Sequence, residues 1–346
     1  MSGFCEITVV IPTYNRKGLV TRAIKSVFNQ SVQPAQIIVV DDGSTDGTEE
    51  VCKAYSPPVE YFRQENAGPG AARNAGVRLA RSPWIAFLDS DDYWTPSHLE
   101  RMTRAIRETG GEAAFYFSNM KMAEVDGGGT HWEAVGFRPE DPWQLVRDGS
   151  GWVLMRHQPM FVQASVISKQ AWEKVGGMDV SKSIGEDSYL FCQLGIGGAV
   201  CSVSGIGTVN PSDDRSDVRL TLKMPHGSES RLRQECKRWR QVLAFEKLPR
   251  CFRRLVRYNV AGSHLGLARA LWRSGRPVQA GTHLLLALKG DPFLFAWIVR
   301  NRTELGYEET IRPAFAEQVD AGAAVTRGSF TQKVMRRRRA GASERF

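Results

Sequence analysis

The chain has 346 residues, 46 Lys+Arg against 37 Asp+Glu, and a formal net charge of +9. Apolar residues make up 42% and charged residues 24%, ordinary globular usage that excludes wholesale disorder, a collagen-like fibre and a coiled coil. The charge is uneven: residues 1–210 hold 19 basic and 24 acidic side chains, whereas residues 211–346 hold 27 and 13, so the excess is C-terminal.

Residues 7–11 form a β-branched run ended by Pro12, which reads as a buried strand. Asn15 is placed to cap a helix whose apolar positions Leu19, Ala23, Ile24 and Val27 fall at helical spacing. Residues 37–40 are a second buried strand. It runs into a turn-rich stretch from Asp41 to Gly47, with Asp46 expected to cap a helix from Thr48. Tyr61 and Phe62 mark a third strand. Residues 66–70 break the chain, 71–80 read as a helix, and 84–88 as another buried strand ending at Asp89-Ser90-Asp91-Asp92. Strands alternating with helices at this spacing predict βαβ units and a parallel sheet.

Residues 110–165 are less regular, and 170–210 return to a mixed pattern. From 229 onward helix formers dominate, with a basic helix over 231–245. Residues 261–288 read as a helical hairpin broken at Ser274-Gly275-Arg276-Pro277, similar to one tetratricopeptide unit. A single copy does not make a repeat array. After residue 321 periodicity is lost, and Arg336 to Arg339 close a basic tail expected to be disordered.

The six cysteines form no C-x-x-C pair, so reduced, structural thiols are expected rather than a zinc site. No signal-peptide pattern opens the chain. The longest late apolar run, residues 293–299, is far short of the ~20 residues of a membrane-spanning helix. The expected location is cytoplasmic, with peripheral attachment at the inner face of the cell membrane as a second reading.

In open α/β sheets ligands bind outside the carboxyl ends of the strands. Asp41 and Asp42 follow one buried strand, and Asp89, Asp91 and Asp92 follow another, so two acidic clusters converge on one sheet edge. Three carboxylates in Asp89-x-Asp91-Asp92 repel one another, and a divalent cation relieves that. Oxygen ligands of this kind suit Mg2+ or Mn2+ bridging phosphate oxygens. The plainer reading is a solvated acidic turn with Asp92 capping the next helix. In Asn66-Ala67-Gly68-Pro69-Gly70-Ala71-Ala72-Arg73-Asn74 the glycines permit close backbone approach, and Arg73 lies one helical turn in.

Four segments in order carry a family resemblance: Ile11-Pro12-Thr13-Tyr14-Asn15, Val39 to Asp46, Asn66 to Asn74, and Phe87 to Asp92. They resemble the family 2 glycosyltransferases of the GT-A fold. Val175-Gly176-Gly177-Met178-Asp179 followed by Gly185-Glu186-Asp187 extends the resemblance over about residues 5–205. It implies an α/β fold with a mixed, mostly parallel Rossmann-like sheet flanked by helices. It implies that Pro12, Thr13 and Tyr14 border a nucleotide base, and that Asp42 with Asp41 binds base or ribose. Arg73 would sit near the base or diphosphate, Asp89 and Ser90 at the ribose, and Asp91 with Asp89 at the metal. Asp187 would be the general base, with Glu186 beside it, in an inverting transfer. His157 is the histidine best placed by sequence for an acceptor pocket, and residues 211–216 are a candidate lid.

The expected organisation is a nucleotide-sugar-binding and catalytic domain over 1–215, a basic helical region over 216–320, and the tail over 321–346. The expected activity is transfer of a sugar from a nucleotide-diphosphate sugar to an acceptor hydroxyl, with Mg2+ or Mn2+. The acceptor is expected to be a cell-envelope polysaccharide or glycolipid. A non-catalytic nucleotide-sugar scaffold is the alternative. A nucleotidyltransferase would need a basic glycine-rich loop after the first strand, where Pro12 to Asn15 stand. For the basic helical region, packing against the acidic domain or docking a partner ranks first, an anionic membrane second and nucleic acid last.

Overall fold

The computed structural model describes residues 5–122, 129–155, 157–182, 184–211 and 227–290. The expected tail, and the expected lid beyond Pro211, lie outside these residues. The first half alternates strand and helix as the hydrophobic runs require: β1 (Cys5–Thr13), α1 (Lys17–Phe28), β2 (Pro34–Asp41), α2 (Thr48–Lys53), β3 (Val59–Arg63), α3 (Pro69–Leu79) and β4 (Trp84–Phe87). There follow β5 (Tyr93–Trp94), α4 (His98–Glu108), β6 (Phe115–Lys121), α5 (His131–Val135), β7 (Trp143–Val146) and α6 (Ser150–Val153). The remaining elements are β8 (Ser165–Ser168), α7 (Lys169–Val175), α8 (Glu186–Gly195), β9 (Val200–Val209), α9 (Glu229–Leu243), α10 (Arg250–Arg273) and α11 (Pro277–Gly290).

The nine strands form one sheet in the order β3-β2-β1-β4-β8-β6-β9-β5, with β7 also on β9. β1 to β4 are mutually parallel; β8 runs against them, and β6 and β9 return to their direction. The sheet is therefore mixed and mostly parallel. Residues alternate between two apolar layers because the strand period is two. Val9, Ile11, Ile37 and Val39 face Val20 and Ile24 of α1 and Leu99 and Met102 of α4. Val10, Ile38 and Val40 face Ala72 and Ala75 of α3, together with Phe115, Phe117 and Phe191. Each such side chain fully buried contributes ~1.5–3 kcal/mol, which is why both faces need helices.

Three local readings change. Asn15 does not cap α1: it takes φ 50°, a left-handed conformation that asparagine tolerates, and its Oδ1 accepts from Thr45 N–H at 2.8 Å. Asp46 supplies the cap instead. Its Oδ2 accepts from Lys17 N–H at 3.0 Å and its Oδ1 from Thr48 N–H at 3.1 Å, so one carboxylate serves two helix starts. Burial raises its pKa, but the bonds from Thr48 and Lys17 outweigh that and hold it below the usual carboxylate range. Asp92 does not cap the following helix either, because β5 intervenes before α4. The irregular reading of 110–165 also missed β6, which lies inside the sheet between β8 and β9. Ser118 and Asn119 interrupt its apolar run, although both are buried.

The basic helices lie on the first domain. Trp239 and Val242 of α9, with Val256 and Val260 of α10, join the apolar cluster that covers the α3 face of the sheet. The hairpin α10–α11 turns over residues 274–276 as expected, with α10 beginning earlier than residue 261. The cysteines are unpaired: Cys251 is exposed and the other five are buried.

Gly76 of α3 packs on β1 so closely that a Cβ would stand 2.3 Å from Val10 Cγ1. Gly76→Ala is therefore expected to lose about 1–3 kcal/mol by overpacking, despite alanine's better helix propensity. Urea titration checks this, and adding Val10→Ala should return part of the loss.

Candidate active site

The parallel register brings the chemistry to one edge. β1 pairs β2 with Thr13 opposite Asp41, and β1 pairs β4 with Val10 opposite Phe87. The chain ends of β1, β2 and β4 thus deliver Pro12 to Tyr14, Asp41 and Asp42, and Asp89 to Asp92 to neighbouring positions. Pro12 and Thr13 are buried and Tyr14 half-buried at this edge. Thr13 Oγ1 is buried with no partner among the described residues.

The motifs are hydrogen-bonded to one another. Asn15 N–H donates to Ser44 Oγ at 2.8 Å, joining the loops after β1 and β2. Asp42 Oδ1 accepts from Gln64 Nε2 at 2.7 Å and Ala67 N–H at 2.9 Å, and its Oδ2 from Gly68 N–H at 2.8 Å. This fixes the glycine-rich loop that starts α3. Asp41 is turned inward: fully buried, it accepts from Ser44 N–H at 2.8 Å and Tyr61 O–H at 2.6 Å. Of the Asp41/Asp42 pair expected at the base or ribose, Asp41 is 0% and Asp42 3% exposed, and both accept hydrogen bonds that shape the loops around them.

α3 then reaches the second half of the site. Asn74 Nδ2 donates to Met178 O and Asn74 Oδ1 accepts from Met178 N–H, each at 2.9 Å. Gly177, at φ 75°, permits this: a Cβ there would lie 2.6 Å from Asn74 Oδ1 and 2.8 Å from Trp172 Nε1. The neighbouring Arg73 is 5% exposed. Its Nη2 donates to Asp89 Oδ1 at 2.6 Å and its Nη1 to Glu186 Oε1 at 3.3 Å. Burial alone would lower the arginine's pKa, but Asp89 and Glu186 outweigh it and hold the guanidinium charged. Asp187 acts on the same guanidinium by its charge and accepts from Ser188 N–H at 2.6 Å. Glu186 is pushed above its usual pKa by burial and by Asp187, against the pull of Arg73.

Among the described residues, the metal-capable cluster is Asp89, Asp91 and Asp92, each offering a carboxylate oxygen within 4.8 Å of the others. Asp92 is 1% exposed, and its Oδ1 has no partner among the described residues. Burial, then the charges of Asp91 and Asp89, push its pKa well above the usual range. An orphaned buried carboxylate oxygen between two further carboxylates fits a hard divalent cation. Asp92 is thus a third candidate ligand beside Asp89 and Asp91. Its signal was present as the last letter of D-x-D-D, where the strand-end context favours a metal over the plainer helix-cap reading. Ser90 is buried between them.

On the other side, His157 is exposed. Beside it, Gln158 Nε2 donates to Ser188 O at 3.3 Å, which ties that loop to the first turn of α8. His131 accompanies this loop, with Nε2 2.8 Å from Gln158 O and its ring 4.3 Å from that of Phe161. A depression of ≈ 730 Å³ lies at the amino end of β4, lined by Trp84, Arg107, Lys169 and Glu173. It is remote from the carboxylates and brings no comparable group of side chains together.

The chain is similar to known proteins in sequence and in fold. Residues 8–149 match the family model described as Glycosyl transferase family 2. The chain is 27% identical over 295 residues to the succinoglycan biosynthesis protein ExoW of Rhizobium meliloti, covering 79% of this chain and 89% of that one. It is 38% identical over 133 residues to an uncharacterized glycosyltransferase of Rickettsia conorii, covering 38% of this chain and only about a fifth, 21%, of that protein. In structure it is similar to S. aureus TarS 1-349 in complex with UDP-GlcNAc, with TM-score 0.60, 17% identity and 81% of each chain covered. A mannosyltransferase from Pyrobaculum calidifontis in complex with GDP-Man and Mn2+ gives TM-score 0.56 at 15% identity, covering 92% and 87%. The fold is GT-A.

Because burial and the charges of Asp91 and Asp89 raise the pKa of Asp92, the folded, metal-free protein binds more protons than the unfolded chain above the ordinary carboxylate range. The contribution of Asp92 to stability is thus present below the ordinary carboxylate range and lost as pH rises through the raised value. Asp92→Asn should raise the Tm in EDTA at pH 7 and flatten the loss of stability as pH rises above the ordinary carboxylate range. It should also weaken the Tm increase given by Mn2+. Differential scanning calorimetry reads all three.

Proposed function

We propose that this chain, which carries a family 2 glycosyltransferase domain over residues 8–149, is an inverting glycosyltransferase. Its donor is a nucleotide-diphosphate sugar and its acceptor nucleophile a hydroxyl. The observation that carries the reading is the Arg73 bridge, which holds the carboxylates after β4 and the Glu186–Asp187 pair of α8 on two sides of one buried guanidinium.

In this reading Thr13, Tyr14 and Asp42 receive the nucleoside, and Asp89 and Ser90 orient the ribose. Asp89, Asp91 and Asp92 would hold Mg2+ or Mn2+. The cation, when bound, neutralises the charge that develops on the diphosphate leaving group. Arg73 keeps Asp89 and Glu186 in place and adds positive charge next to the cluster. Asp187 accepts the proton of the acceptor hydroxyl as that oxygen attacks the anomeric carbon. The bond from that carbon to the diphosphate breaks, and its electron pair leaves with the diphosphate. A general base within ~3 Å of the hydroxyl is required for this. Placing base and leaving group on opposite sides of the sugar gives inversion. The likeness to ExoW over most of both chains supports a cell-envelope polysaccharide or glycolipid acceptor.

The test is nucleoside-diphosphate release from a panel of nucleotide sugars. Turnover is expected with at least one donor and should be abolished by EDTA. Asp187→Asn should bind the donor as the parent does and lose turnover by ~10²–10⁴-fold, the range of a general base. No turnover of any donor, or full turnover by Asp187→Asn, contradicts the reading.

A further inference from the structure

The helical hairpin presents a surface that neither the fold nor the proposed chemistry uses. Residues 247–290 hold nine Lys+Arg and no Asp or Glu. Within them, Trp272 is 68% exposed, Val278 83% and Leu285 67%. Val278 and Leu285 are seven residues apart on α11 and so share one helix face. Trp272 stands at the end of α10, on the other side of the short turn at 274–276, with Arg269 and Arg273 exposed beside it. Arg276 is satisfied by Glu229. Arg269 and Arg273 make no ion pair among the described residues. The buried side of the hairpin is already used, with Leu267, Leu271 and Ala280 packed on Cys236. The exposed tip therefore carries a large amphipathic aromatic and two arginines without ion pairs among the described residues, and the exposed face of α11 carries two branched aliphatic side chains.

We infer that the tip and outer face of the α10–α11 hairpin form a docking surface for an anionic lipid bilayer. Charge complementarity selects this occupant. An apolar protein partner would not require a stretch without any acid, whereas a bilayer bearing acidic headgroups attracts each arginine near it. Tryptophan is favoured at the boundary between headgroups and acyl chains, where its ring is buried and its N–H stays wet. Leu285 and Val278 supply shallow insertion. No helix among the described residues is long and apolar enough to cross a membrane, so attachment here is by the surface of a folded hairpin. The inference goes beyond the proposed transferase activity and is tested without any donor.

The experiment is vesicle flotation of the full chain with phosphatidylcholine vesicles and with equal mixtures of phosphatidylcholine and phosphatidylglycerol, at low and high salt. The parent should float with the anionic vesicles, at least tenfold more than with the neutral ones, and high salt should release it. Trp272→Ser with Leu285→Ser should lower anionic binding about tenfold, and so should Arg269→Glu with Arg273→Glu. Unchanged Tm and nucleotide-sugar turnover would show that these exposed positions leave the fold and the site intact. Equal flotation on both vesicle types overturns the inference. So does parental binding by both double variants, because they retain Arg336 to Arg339. A self-association of the parent that the Trp272/Leu285 variant abolishes, without vesicle binding, assigns the face to a second copy and also overturns it.

Discussion

Arg73 donates to carboxylates 16 and 113 positions away along the chain and is itself almost wholly buried. Taking such a charge out of water costs several kcal/mol, and only well-placed opposite charges offset it. The two carboxylates come from the ends of different elements, so neither half of the site has its geometry without the other. Asn74, one residue on, grips Met178 through both of its amide groups. α3 is consequently a spine, with one end fixed by Asp42 and its Asn74 fixing the segment that leads to Asp187. Removing the guanidinium would leave Glu186 buried beside Asp187 without its counter-charge, a type of loss that costs ~3–5 kcal/mol.

The same economy explains why the acidic cluster persists. Asp92 is buried with no partner for one oxygen among the described residues and lies next to two like charges, an arrangement that opposes folding. A protein selected only for stability would place an amide there. The arrangement becomes favourable when a cation shares the three carboxylates, so the local instability and the proposed chemistry have one cause. Asp41 illustrates the contrast. It is as deeply buried, yet Ser44 and Tyr61 satisfy it.

Much of this was legible in the sequence because β1, β2 and β4 are largely buried runs with short connections. Their carboxyl ends fall where motif residues begin, so fold and site are read together. The pairing of Arg73 with Glu186 was not legible, because nothing in a one-dimensional pattern says which of several carboxylates a buried arginine will meet. Nor was β6, whose apolar run is interrupted by Ser118 and Asn119 although the sheet buries both. Asn15 and Asp46 show a finer limit. Both have cap chemistry, and only the tertiary contact between two loops decides that Asp46 serves both helices. The distribution of charge was visible from the start, but its division was not. Trp239 and Val242 turn one face of the basic helices into core, while Trp272 and Leu285 leave another outside.

The central claim is that the carboxylates after β4 hold a divalent cation that in turn holds a nucleoside diphosphate. Electron paramagnetic resonance of Mn2+, titrated into the full chain with UDP and separately with GDP, tests it most directly. The account predicts that one of the two nucleotides removes about one equivalent of free Mn2+ signal per chain, and that Asp91→Asn abolishes this. An undiminished Mn2+ signal with both nucleotides, or equal binding by Asp91→Asn, would contradict it.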